Sequence, residues 1–165
     1  MRSRIRKILM ICSNYDAFAL EEDGRIENQV RSEYRELNLS NPPKFIWANS
    51  SQQAREIVSS ETEVDMIICM FNEQDKGIFP FASELKEEGR GIPFVLLIHY
   101  SKAVRQRVLE SPRPGVDFVF SWHGNADLIL AIVKLLEDAA NADNDVFEVG
   151  VKGILLVEDS IRYYS

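Results

Sequence analysis

The chain has 165 residues, 45% of them hydrophobic and 27% charged, with 8 Gly, 6 Pro and 2 Cys. That length buries a core without disulfides or a structural metal, and favours one domain or one domain with part of another. Nineteen Lys+Arg against 26 Asp+Glu leave a net charge of −7, whose field repels phosphates, so neither nucleic acid nor a membrane is an expected partner. Two cysteines, Cys12 and Cys69, make no disulfide framework. The basic opening Arg2–Lys7 followed by Ile8–Cys12 imitates a signal peptide, but the apolar run is too short and Ser13-Asn14-Tyr15-Asp16 follows at once. No apolar run approaches the length that spans a bilayer. These features predict a reduced, cytoplasmic protein.

Five short apolar runs bounded by turn residues read as buried parallel strands: Lys7–Cys12, Lys44–Ala48, Met66–Met70, Phe94–Ile98 and Asp117–Phe120. Asn14–Gly24, after the first, is a long acid-rich connection with room for an extra turn. Ile26, Val30, Tyr34 and Leu37 then stack on one helical face. Ser50 or Ser51 can cap a short helix carrying Ala54, Ile57 and Val58. Further helices are expected over Phe81–Glu88, ended by Gly89 and Gly91, and over Lys102–Glu110, stopped by Pro112 and Pro114. The last, Ala126–Ala140, is capped by Asn125 and turns Leu128, Ile132, Leu135 and Leu136 inward. Strands alternating with helices at this pitch give right-handed crossovers and a doubly wound α/β sheet. Residues 1–140 form this domain, 141–152 a polar linker.

After the linker, Gly153-Ile154-Leu155-Leu156-Val157-Glu158-Asp159-Ser160 is an apolar strand ending in two acids. The same pattern occurs in Lys7–Asn14, with Cys12 opposite Glu158 and Ser13 opposite Asp159. Together with Ile92-Pro93 before the fourth strand and Gly115-Val116-Asp117 before the fifth, this resembles the receiver domains of bacterial response regulators. The resemblance implies a flavodoxin/CheY-like five-stranded parallel sheet, order 2-1-3-4-5. It also implies that 153–165 is the first strand of a second receiver, so that the chain belongs to a longer protein. The string Phe120–Leu128 and the tail Glu158–Arg162 are similar to the N-terminal region of bacterial phosphoenolpyruvate synthase-like proteins.

In that family an aspartate ending strand three accepts a phosphoryl group, acids after strand one hold Mg²⁺, and a hydroxyl and a lysine beyond strands four and five hold the phosphate. Transferred onto this chain, the acceptor position is Met70, the acid pair Cys12 and Ser13, the hydroxyl Ile98, and the lysine Trp122, or Ser121 if the register slips. A thioether forms no acyl phosphate and is a poor Mg²⁺ ligand. No lysine lies between 103 and 133. The resemblance therefore implies a receiver that is not phosphorylated, needs no cofactor and is not itself an enzyme, with Met70, Ile98 and Trp122 packed together as an apolar plug. Glu158 and Asp159 would supply the acid pair of the second receiver.

Other candidates are weaker. Asp16, Glu21, Glu22 and Asp23 could rebuild a metal site, although acids in loops are mostly solvated; Asp75 adds little. His99 and His123 follow strands four and five at the edge where α/β sheets bind ligands. With the acidic loop they frame the alternative function, a small ligand-binding or enzymatic domain. Cys12 and Cys69 lie on neighbouring strands, as a thiol pair or as two small core residues. Phe118 and Phe120 fill core positions or a docking face. Receivers commonly signal through helix four, strand five and helix five; here that face would carry Lys102, Arg105 and Arg107 against Asp127, Glu137 and Asp138, charges suited to a protein partner or a second copy. Ile154–Val157, apolar throughout, is expected to dock on a sheet edge or a neighbouring chain.

Overall fold

The computed structural model describes residues 4–21, 25–36, 41–60, 63–99, 112–124 and 127–143, with 101, 104, 106, 108 and 110. In chain order these form β1 (Lys7–Ile11), α1 (Asn14–Glu21), α2 (Arg25–Glu36), β2 (Lys44–Ala48), α3 (Ser51–Ser59), β3 (Met66–Met70), α4 (Ile78–Glu87), β4 (Phe94–His99), β5 (Phe118–Trp122) and α5 (Asp127–Asp143). Val104, Gln106, Val108 and Glu110, between β4 and β5, are helical. The strands make one parallel sheet in the order β2-β1-β3-β4-β5, as expected for a flavodoxin/CheY-like fold. Leu37, Glu22, Asp23, Lys102, Arg105, Arg107, Asn125, the linker from 144 onward and the tail with Ile154–Val157, Glu158 and Asp159 lie outside the described residues.

Both sheet faces are covered, so the central strands are apolar at every buried position, with Lys7 opening β1 and the exposed His99 closing β4. Their pleat sorts the side chains into two layers. Ile8, Met10, Cys12, Met66, Ile68, Met70, Val95, Leu97 and Trp122 pack under α2 and α5. Leu9, Ile11, Ile67, Cys69, Phe94, Leu96 and Ile98 pack on the other side, with α3, α4 and Val108.

Several helices depart from expectation. α1 occupies most of what reads as a loop. Pro80 stands in the first turn of α4, where it displaces no helical hydrogen bond, so this helix begins at Ile78 rather than Phe81. In α5 the buried stripe is Ile129, Ile132, Val133 and Leu136, while Leu128 is half-buried and Leu135 is 48% exposed. The stripe keeps the 3-4 spacing but is rotated by one residue from the leucine-based reading. On the edge strand β5 Phe118 is exposed and fills no core position, while Phe120 is half-buried and packs against the layer under α2 and α5. Trp122, expected just past the strand, ends it.

Parallel strands have no hairpin to fix their register, and two aspartates supply the alignment. Asp65, just before β3, donates its N–H to the Lys7 carbonyl at 3.0 Å, and its carboxylate accepts from the N–H groups of Arg6 and Lys7 at 2.8 and 2.9 Å. Asp117, just before β5, does the same to β4: its N–H reaches the Phe94 carbonyl at 2.9 Å and its carboxylate accepts from the Phe94 N–H at 2.7 Å. Lys86 of α4 completes this second clip, donating to Asp117 at 2.7 Å.

Behind Asp117, Gly115 has φ +80°, and a Cβ there would lie 2.2 Å from the backbone carbon and oxygen of Ala82 in α4. Gly115→Ala combines a left-handed backbone with a clash against helix backbone, and should cost about 3 kcal/mol. Gly89 ends α4 at φ +68° with open space around it, so Gly89→Ala should cost only about 1 kcal/mol. Urea denaturation of both variants checks the difference.

At the amino edge of the sheet Glu137 of α5, expected on the outer docking face, is 3% exposed. It accepts from the Ile5 N–H at 3.0 Å and from Lys134 at 3.0 Å, satisfying a backbone amide two residues ahead of β1. Tyr34 of α2 lies beneath Lys134, whose ammonium is 5.0 Å from the ring centre. The Tyr34 hydroxyl is buried with no hydrogen-bond partner among the described residues. Burial first, and then the Glu137 charge, push its pKa from 10.0 to about 12, partly offset by Arg4. Between those values the unfolded chain has lost this proton and the folded chain keeps it, so stability falls as pH rises through the window. Tyr34→Phe should lose that slope and be neutral or stabilising at pH 7, since no bond is broken; melting curves between pH 7 and 12 test both statements.

Candidate functional site

In a doubly wound sheet ligands gather outside the carboxyl ends of the strands. Here those ends carry Cys12, Ser13, Met70, Ile98, His99, Trp122 and His123. Met70 is 3% exposed and Trp122 6%, and both belong with Cys12 to the layer under α2 and α5. Ile98 belongs to the opposite layer. The expected plug of Met70, Ile98 and Trp122 is therefore corrected: Cys12, Met70 and Trp122 extend one core layer to the rim, while Ile98 closes the other. The pleat forces this, because Ile98 is displaced by one residue from the inward set Val95 and Leu97.

Ser13, at the position of the second acid, works as a helix cap. Its Oγ accepts from the Asp16 N–H at 3.1 Å and donates to the Asp16 carboxylate at 2.7 Å, while its carbonyl accepts the Ala17 N–H at 2.8 Å. This Ser-x-x-Asp arrangement opens α1. The other oxygen of Asp16 lies 3.6 Å from Nε2 of His99, an imidazole that is half exposed. Asp16 is thus held by its own helix and by a histidine from β4. The Glu21 side chain, Glu22 and Asp23 lie outside the described part. Among the described residues no three His, Cys, Asp or Glu side chains are grouped to hold a metal ion. His123 is exposed, one residue beyond Trp122, the register partner of His99.

Asp75, in the loop after β3, accepts from the Ser51 N–H and Oγ at 2.6 Å each and from the Gly77 N–H at 3.0 Å. Together with Ser50, whose Oγ accepts from the Gln53 N–H, it satisfies the first turn of α3 and ties the β3–α4 loop to that helix. Sequence reasoning gave Asp75 no role, since nothing local links it to a helix 24 residues earlier. Cys12 and Cys69 are both buried, in layers on opposite faces of the sheet, and are not joined to each other. Burial, then Asp75 and Cys12, push the Cys69 thiol far above its usual range, and its S–H meets the Met70 carbonyl at 3.7 Å. A thiol so protonated is no nucleophile.

Chemically, then, the described rim is two apolar layers brought up to the surface, bordered by helix caps and a half-exposed histidine–carboxylate contact. The fold defines the class of molecule, a receiver-fold domain. Solved structures similar to it include the signal receiver domain assigned to a LuxO repressor protein of Vibrio parahaemolyticus, with 13% identity, a TM-score of 0.59, and 88% of this chain and 98% of that one covered. The signal receiver domain of an HD domain-containing protein from Pseudomonas fluorescens Pf-5 matches with 18% identity and a TM-score of 0.54, covering 87% and 96%. The phosphorylated cyanobacterial phytochrome response regulator RcpA matches with 17% identity and a TM-score of 0.54, covering 82% and 93%. By sequence, no family model and no curated protein matches the chain. Among the described residues no helix is long and apolar enough to cross a membrane.

Because Met70 packs as core, Met70→Asp should place an uncompensated carboxylate in an apolar layer and cost at least about 3 kcal/mol at pH 7, less at acid pH where the group is neutral. Met70→Leu keeps volume and polarity and should stay within about 1.5 kcal/mol of the parent. Chemical denaturation at pH 5 and pH 7 measures both.

Proposed function

We propose that this domain is a pseudo-receiver, a regulatory and protein-interaction module of the receiver fold that takes no phosphoryl group, located near the N-terminus of a larger bacterial signalling or phosphoenolpyruvate synthase-like protein. The observation that carries the reading is the burial of Met70. At the end of β3, where receivers present a carboxylate, a thioether is 3% exposed within the layer that also holds Cys12 and Trp122. Ser13 is turned to capping α1, and Ile98 offers no hydroxyl. Neither an acceptor carboxylate at the end of β3 nor an acid pair at the end of β1 stands at these positions to form and hold an acyl phosphate.

Signalling without phosphate leaves protein contact as the output. The surface formed by Val104, Gln106 and Glu110, β5 and α5 supports this. Leu135 and Phe118 are exposed large hydrophobics on it, Phe118 stacks on Phe120 with ring centres 6.4 Å apart, and Asp127 and Asp138 are exposed at its border. Apolar side chains ringed by charge suit a partner protein or a second copy. Glu137 is withdrawn from this face by its burial. The rival reading, a ligand-binding or enzymatic rim, is favoured by one observation, the Asp16–His99 contact.

One titration separates the two. Amide spectra of the protein with Mg²⁺ and beryllofluoride, a mimic of phosphoaspartate, should show no saturable shift at Cys12, Met70 or Trp122. Saturable shifts at those three amides would mean that the rim binds metal and phosphate, and the pseudo-receiver reading would be wrong.

A further inference from the structure

The opposite edge of the sheet, where the strands begin, carries a feature that the receiver-fold reading does not use. A cavity of about 510 Å³ opens there, lined by Arg4, Arg6, Lys7, Asn41, Pro42 and Lys44. Every ionisable group in its lining is a cation, in a chain whose net charge is −7. Lys7 and Lys44 are direct register partners at the start of β1 and β2, so the pleat sets two like charges side by side on one face, an arrangement that costs stability unless something neutralises it. Glu63, Asp65 and Glu137 line the adjoining cavity with Arg4, Arg6 and Lys7, but none of these acids lines the cavity that Lys44 shares. The Asp65 carboxylate is engaged by the backbone N–H groups of Arg6 and Lys7. Glu63 touches Lys7 only at 4.0 Å, with its side chain 91% exposed. Arg6 and Lys44 make no ion pair among the described residues.

We propose that this cavity is a binding site for a phosphate-bearing small molecule with at least two negative charges. A di- or polyphosphate matches what the lining offers: the Arg6 guanidinium, which can fork onto phosphate oxygens, the positive charge of Arg4, two ammonium groups that add point charge, and a volume in the range of small-ligand pockets. The inference stands apart from the phosphorylation chemistry of the carboxyl rim and does not depend on the pseudo-receiver reading. A site at the strand starts would let a soluble anion report on metabolic state to the same fold.

The test uses the whole chain, with inorganic pyrophosphate as probe at a constant ionic strength of about 150 mM, where long-range attraction is screened. Saturable amide shifts are expected at Arg4, Arg6, Lys7, Asn41 and Lys44, with affinity lowered about tenfold or more by Arg6→Glu and by Lys44→Glu. Both side chains are exposed, so the fold should survive; Arg6→Gln is the milder check. Lys76→Glu, at the far edge, should leave the affinity unchanged. Shifts that never saturate, or an equal loss in Lys76→Glu, would reduce the effect to net charge and overturn the proposal.

Discussion

Burial of both faces of a five-stranded parallel sheet is the constraint from which the rest of this structure follows. Once helices cover both sides, the buried positions of β1, β3 and β4, from Ile8, Met66 and Phe94 onward, must be apolar, and the pleat alone decides which layer each joins. The rule runs on to Ile11, Met70 and Ile98 and stops at His99, which is exposed. In a phosphorylated receiver it has to be suspended at the carboxyl rim, where charged groups gather in spite of the apolar sheet beneath them. Here it is not suspended. Cys12, Met70 and Trp122 continue one layer and Ile98 the other, so the core reaches the surface where a ligand site would lie.

The polar residues left at the rim have become scaffold. Ser13 and Asp16 satisfy the open turn of α1, and Asp75 with Ser50 satisfies that of α3. A carboxylate already accepting two or three N–H or O–H bonds has little left to offer a cation. Acidic residues near strand ends are therefore weak evidence for a metal centre until their hydrogen-bond partners are known. In this domain they tie the loops after β1 and β3 to α1 and α3.

Much of the fold was legible because parallel strands leave a plain signal. All five appear as apolar runs bounded by turns, and their ends were placed to within two residues. The errors share a cause, which is information that is not local. α1 carries Tyr15 and Phe18 outward, so its sequence lacks the inward stripe that marks a helix. On α5 the leucines draw the eye, while Ile129 and Val133 do the packing. Glu137 looks like a surface acid, and only the amide of Ile5, 132 residues away, explains its burial. The rim was legible in identity but not in arrangement: Met70 and Trp122 could be named from position, whereas the exclusion of Ile98 from their layer required the pleat.

The paired aspartates ahead of β3 and β5 also bear on how the chain reaches this state. Shifting a parallel strand by one residue exchanges its two faces, and in strands as uniformly apolar as β3 and β4 hydrophobicity barely distinguishes the right alignment from the wrong one. Asp65 and Asp117 do distinguish them. Each completes its reciprocal exchange with the adjacent strand in one alignment only, and a slipped pairing would strand a carboxylate against apolar neighbours. They act as proofreading marks, making misaligned intermediates short-lived in a topology whose long-range pairings are slow to assemble and prone to aggregate while they wait.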